Sequence, residues 1–112
     1  MDWKILAIEV LRDIADPVAQ QAAWIDDTGP RVSEPIELAC QLFDDTGLGD
    51  RLDAGPVYAP RCDEILRQLG AAFQALRYDQ PIDELTASSE WGAIVGLAQR
   101  ALRCIESGRG GA

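Results

Sequence analysis

The sequence predicts an all-α fold: a compact, single-domain bundle of about five helices. Three observations carry this. The chain has 112 residues, 47% of them apolar, enough for one domain with one core. Five separate segments repeat apolar residues at i, i+3, i+4 and i+7. Asp16-Pro17, Glu34-Pro35, Pro60 and Ser88-Ser89 stand where four of them begin, and these residue types cap or open helices.

The first segment, near 2–15, places Trp3, Leu6, Ala7, Val10, Leu11 and Ile14 on one stripe. Ile5 and Ile8 widen it, so this helix is expected to be covered on two sides. The second, near 17–25, starts with Asp16 as cap and Pro17 as first helical residue, with Val18, Ala22 and Ile25 facing inward. Gly29-Pro30 marks a loop. The third, near 34–43, has Ile36, Ala39, Cys40 and Phe43 as its apolar face, with Leu38 and Leu42 beside it. Ile36, Leu38, Cys40 and Leu42 also alternate like a strand, but Glu, Leu, Ala and Gln favour helix. Residues 44–60 are rich in Gly, Pro and Asp and read as a long loop, with one short helical turn around 48–52. Such a loop is often functional.

The fourth helix, near 60–78, carries Ile65, Leu66, Leu69, Phe73 and Leu76. Its Gly70 either weakens it or admits a close neighbour. Gln80-Pro81 opens a short turn or helix to Leu85. The last helix, near 89–107, buries Trp91, Ile94, Val95, Ala98, Leu102 and Ile105. Gly108 is expected to stop it and 109–112 to fray. No internal repeat is expected.

The composition also excludes. There are 19 acidic against 10 basic residues, a net charge of −9, which argues against nucleic acid and anionic membrane surfaces as partners. There is no histidine, so the commonest general base and metal ligand are missing, along with Ser-His and Cys-His pairs. No phosphate-binding glycine loop is present. The run Asp44–Asp53 fails as a calcium loop. Starting from Asp45, the third and fifth positions are glycines; starting from Asp44, they are Thr46 and Leu48. The expectation is a non-enzyme without metal or cofactor. Cys40, Cys62 and Cys104 are odd in number and widely spaced. They are expected to be free thiols in or beside the core, with no disulfide. Charges interrupt the first apolar stretch and no run reaches the ~20 residues of a membrane span, so a cytoplasmic protein is expected.

The charge is uneven. Between Asp26 and Asp53 lie Asp26, Asp27, Glu34, Glu37, Asp44, Asp45, Asp50 and Asp53, opposed only by Arg31 and Arg51. The excess there is six, two-thirds of the whole. One acidic face built from two loops and the helix between them is expected, with Trp24 and Tyr58 nearby as aromatic anchors. Such a face suits a basic protein partner, whereas solvated caps and loop tips are the plainer explanation. Trp3 and Trp91 read as core.

Residues 16–25 (DPVAQQAAWI), 41–50 (QLFDDTGLGD) and Ser89-Glu90-Trp91 are similar to segments of a family of uncharacterised small bacterial proteins. The chain as a whole resembles an immunity protein of a bacterial toxin–immunity pair of the contact-dependent growth inhibition type. That resemblance implies a small, cytoplasmic, acidic, non-enzymatic protein that neutralises a cognate toxin domain, commonly a basic nuclease. It transfers no site residue, because such proteins share no binding motif. The alternative expectation is an interaction module or adaptor with a non-toxin partner.

Overall fold

Asp2 stands at the head of the first helix. Its carboxylate accepts from the Lys4 N–H at 2.9 Å and caps α1, Trp3–Ile14. The computed structural model describes residues 2–111, with side-chain placement for 2–107; Met1 and Ala112 lie outside the described residues. α2 starts as an α-helix over Pro17–Gln20, capped by the Asp16 carboxylate on the Ala19 N–H at 3.1 Å, and ends as a π-helix over Gln21–Asp26. α3 repeats the plan, α-helical over Pro35–Cys40 and π-helical over Gln41–Asp45. α4 is Leu48–Ala54, α5 is Pro60–Ala75, α6 is Ile82–Ala87 and α7 is Ser89–Gly111. Among the described residues there is no strand, so the all-helical fold stands and the strand alternative for 36–42 falls.

The five expected helices are present, and two short ones join them. α4 falls on the short helical turn expected around 48–52 and extends it to Ala54, within the long loop expected over 44–60. It is held by Thr46, whose buried hydroxyl donates to the Leu42 carbonyl and accepts from the Leu48 N–H at 3.1 Å. Gly47, at φ 76°, makes the turn that a Cβ would strain. α5 ends earlier than expected because the chain turns extended at Leu76, and the Tyr78 hydroxyl donates to the Phe73 carbonyl at 2.8 Å. α7 is capped by Ser88, whose hydroxyl accepts from the Trp91 N–H at 3.1 Å. It passes the expected stop at Gly108, since glycine weakens a helix by about 1 kcal/mol without forbidding it.

The core follows the stripes of α1, α5 and α7. Leu11, Ile14, Leu66, Leu69, Ile94 and Ile105 are among its fully buried side chains. Cys62 and Phe73 lie near opposite ends of α5. They meet Cys104, near the end of α7, and Trp91, near its start, so the two helices run antiparallel. Gln20 is the polar hub. Its amide donates to the Asp13 and Ile14 carbonyls, both at 2.8 Å, and accepts from the Trp91 indole at 3.1 Å, binding α1, α2 and α7 together.

Several apolar residues are not where periodicity puts them. Val18 is 78% exposed, and Ile5 and Ile25 also face solvent. α2 is too short to keep one phase, and its π-helical half, bonded i to i+5, turns the later residues to a different angle. Trp3 is half-buried rather than core, with the Arg51 guanidinium 4.2 Å from its ring centroid and Lys4 also over its ring.

The cysteine expectation is also overturned. Cys62 and Cys104 form a disulfide across α5 and α7, with Cα atoms 5.6 Å apart. Cys40 is a free thiol but is exposed, not core. The pair is 42 residues apart in sequence, so only the antiparallel register of the two helices brings it together.

The absence of a repeat is a third correction. Residues 16–29 and 34–47 share one plan: an acid, Pro, a β-branched residue, then Ile or Phe followed by Asp-Asp-Thr-Gly. Pro17 and Pro35 stand eighteen residues apart, as do Gly29 and Gly47. Each copy starts with proline at the head of an α-helix and ends in a π-helix. Sequence reading misses it because the residues between the two signatures differ.

Candidate partner-binding surface

All eight acids of the 26–53 segment are exposed, and six of them border two separate concavities. Asp27, Glu34 and Glu37 border a pocket of about 340 Å³ beside Trp24 and Arg31. Asp44, Asp50 and Asp53 border a larger groove of about 800 Å³ between α3, α4 and α5. Asp26 and Asp45 line neither.

Local bonds separate the two groups further. Asp26 accepts from the Gln21 amide at 3.3 Å, and Glu37 accepts from the Glu34 N–H at 3.3 Å as a helix cap. Asp27 closes α2 in the left-handed region at φ 54°, which Asp tolerates better than most residues. These acids have structural employment. The ion pairs among the described residues are Arg12–Glu106, Arg67–Glu64 and Arg77–Asp79, so none of the eight is neutralised by a neighbouring side chain. Arg51, the expected counter-charge within the segment, lies over Trp3.

The groove has an apolar floor. Phe43 and Phe73 meet edge-on at 6.4 Å, with Leu52 and Leu66 beside them. Phe43 lies against α5 at Gly70, where a Cβ would stand in ordinary contact, 3.4 Å from the ring. Ile36, Cys40 and Tyr78 add the exposed apolar part. Desolvation, and secondarily Cys40, pushes the Tyr78 hydroxyl above its ordinary pKa. Arg67 is the one cation among the lining residues. It pairs with Glu64 at 3.9 Å and donates to the Leu52 carbonyl at 3.3 Å.

The two expected aromatic anchors sit apart from this groove. Trp24 is half-buried; its indole donates to the Val32 carbonyl at 3.0 Å and its ring lies 5.7 Å from Trp91. It fastens the 27–34 loop to the core. Tyr58 packs against Trp3 with the Lys4 ammonium 5.6 Å from its ring, beside α1. Sequence reading misses Asp63, only 2% exposed, whose carboxylate accepts from the Val57 and Tyr58 N–H groups at 2.9 and 3.0 Å. It fixes the approach to α5. It also misses Phe43 as a groove residue.

Among the described residues no cluster of His, Cys, Asp or Glu could hold a metal ion, and no helix is long and apolar enough to cross a membrane. Comparison of the chain with protein-family models, curated proteins and solved structures returns no match.

Proposed function

We propose that this chain is an immunity-type inhibitor: a non-enzymatic binding protein that neutralises a cognate toxin domain. The toxin is a basic protein, a nuclease in the leading form of this reading, and its active or substrate-binding site is occluded by an acidic surface. The observation that carries the reading is the set of exposed carboxylates Asp44, Asp50 and Asp53, without an ion pair among the described residues, around the groove of about 800 Å³. Carboxylates so placed attract a Lys/Arg-rich cleft that otherwise holds phosphates, and they speed encounter more than they tighten the final complex.

A cytoplasmic setting fits this role, but the Cys62–Cys104 bond weighs against it, because disulfides persist mainly in oxidising compartments. Thiol titration of the denatured, unreduced chain bears on this point. One free thiol per chain supports the oxidised form, and three would return the protein to a reducing cytoplasm.

The test of the main reading is binding and protection against a basic toxin domain encoded beside this chain. Association should be fast at low salt and slow as the Debye length shrinks towards ~8 Å at physiological ionic strength. Reversing Asp44, Asp50 and Asp53 to Lys should abolish protection. Reversing Asp79, Asp83 and Glu84, in the nearly neutral half, should do much less. No complex with such a domain, at any salt, would remove the reading.

A further inference from the structure

α3 has two apolar faces. Leu38 and Leu42 enter the core and are fully buried. The stripe that periodicity assigns to the core, Ile36, Ala39, Cys40 and Phe43, lines the groove instead. Ile36 is 51% exposed, and Tyr78 adds another exposed ring to the lining. A stripe at i, i+3, i+4 and i+7 with Ile36 and Cys40 exposed and Ala39 and Phe43 only half-buried offers an apolar seat to one more helix.

The groove is also polarised along its length. Ile36 stands at the start of α3 and Asp44 near its end, eight positions on. Asp50 and Asp53 on α4 extend the acidic end. Gly49 keeps that end narrow: a Cβ there would come within 3.2 Å of the Phe43 carbonyl oxygen.

We infer that this groove receives an amphipathic helix of the basic partner. Its apolar stripe lies on Ile36, Phe43 and Tyr78, and its Lys or Arg residues face Asp44, Asp50 and Asp53. This rests on the reading of the chain as an inhibitor of a basic protein and names the element it grips. Charge complementarity selects this occupant. A second copy of a chain with net charge −9 would set acids against acids, and an anionic small molecule meets the same repulsion.

The test uses the intact, disulfide-bonded chain and a synthetic helical peptide of leucine and lysine at i, i+3, i+4 and i+7 spacing. The controls are a peptide of the same composition with alternating spacing, and a glutamate-for-lysine version. Amide NMR shifts should move at Ile36, Phe43, Gly49, Gly70 and Tyr78 with the first peptide only. Affinity should fall roughly tenfold or more in the Asp44→Lys, Asp50→Lys, Asp53→Lys variant. Cys40 lines the groove and is the free cysteine, so alkylating it with a bulky maleimide should block the peptide, while Cys40→Ser should bind normally. Shifts centred on Ile5 or Val18, equal binding of the alternating peptide, binding undiminished by the maleimide, or self-association without peptide would each overturn the inference. Its failure is separable from that of the inhibitor reading. Alkylated protein that still neutralises the toxin sinks the groove alone. A chain that binds the peptide in the groove but binds no toxin supports the groove and sinks the inhibitor.

Discussion

Residues 16–29 and 34–47 share a plan yet end differently. In the first copy Thr28 is exposed and the chain runs on as an irregular loop to Glu34. In the second, Thr46 is buried, bonds both Leu42 and Leu48, and passes the chain directly into α4. The first copy takes its left-handed turn at Asp27, the second at Gly47. The residue before the Asp-Asp pair differs too: Ile25 faces solvent, whereas Phe43 reaches α5. Similar local sequence starts similar helices, and contacts beyond the last turn decide where the chain goes next. Only the second copy leads into α4, which brings Asp50 and Asp53 to the groove wall.

The largest expected effect leaves this comparison intact and tests the frame beneath it. Replacing Cys62 and Cys104 by Ser should lower unfolding stability by about 4 kcal/mol, from the entropy of the loop the bond closes. Denaturant unfolding should remain cooperative, with both copies lost together. Separate transitions would mean that the copies rest on different supports.

Next in size is the threonine pair. Thr46→Val removes a hydroxyl that satisfies two backbone groups in a buried turn, at a cost of about 1–3 kcal/mol. Thr28→Val should stay within about 0.5 kcal/mol, as an exposed substitution does. Equal losses in chemical denaturation would show that the two turns are not distinct.

The glycines sharpen the contrast. Gly47 is needed for its φ of 76°, so Gly47→Ala should cost about 1 kcal/mol whatever surrounds it. Gly29 is needed for space, because a Cβ would stand 2.8 Å from the Ala22 Cβ. A double-mutant cycle should therefore show Ala22→Gly partly rescuing Gly29→Ala, while the same change leaves Gly47→Ala unaltered.

The smallest effect is a pH dependence outside both copies. Asp13 has a raised pKa, first from desolvation and then from Asp16 and Glu9. A carboxyl raised in the folded state favours folding below its unfolded value of 3.8, and that contribution is lost as pH rises through the higher folded value. Asp13→Asn should therefore flatten the acid side of the stability profile. The change will be slight, since the group is largely solvated. An unchanged profile would contradict the raised pKa.

How much of this is legible in the sequence depends on how clean each period is. α5 and α7 carry unbroken stripes and fold on them, as Leu66, Leu69, Trp91 and Ile94 show. α3 is legible as a helix, but its core face is misread because two apolar stripes overlap, and periodicity cannot say which one meets a neighbour. α4 is legible only as a short helical turn in a Gly- and Asp-rich run; what fixes its start is the turn at Thr46 and Gly47. The acidic residues are legible as a set. Their division between a capping group and a groove group is not, because it depends on where α5 and Tyr78 lie. The disulfide and the buried Asp63 are likewise matters of register: each joins residues that no local pattern connects.

The aromatic side chains form a line through the molecule, Trp24 to Trp91 at 5.7 Å, Trp91 to Phe73 at 6.1 Å and Phe73 to Phe43 at 6.4 Å. The two indoles at its head are strong chromophores 5.7 Å apart and tilted by 59°. Their transitions couple and add an excitonic couplet to the far-ultraviolet ellipticity of the helices. Helix content taken from the dichroism spectrum alone will therefore be misjudged for this chain, and a Trp24→Leu variant will change the spectrum by more than the helix it sits in can account for.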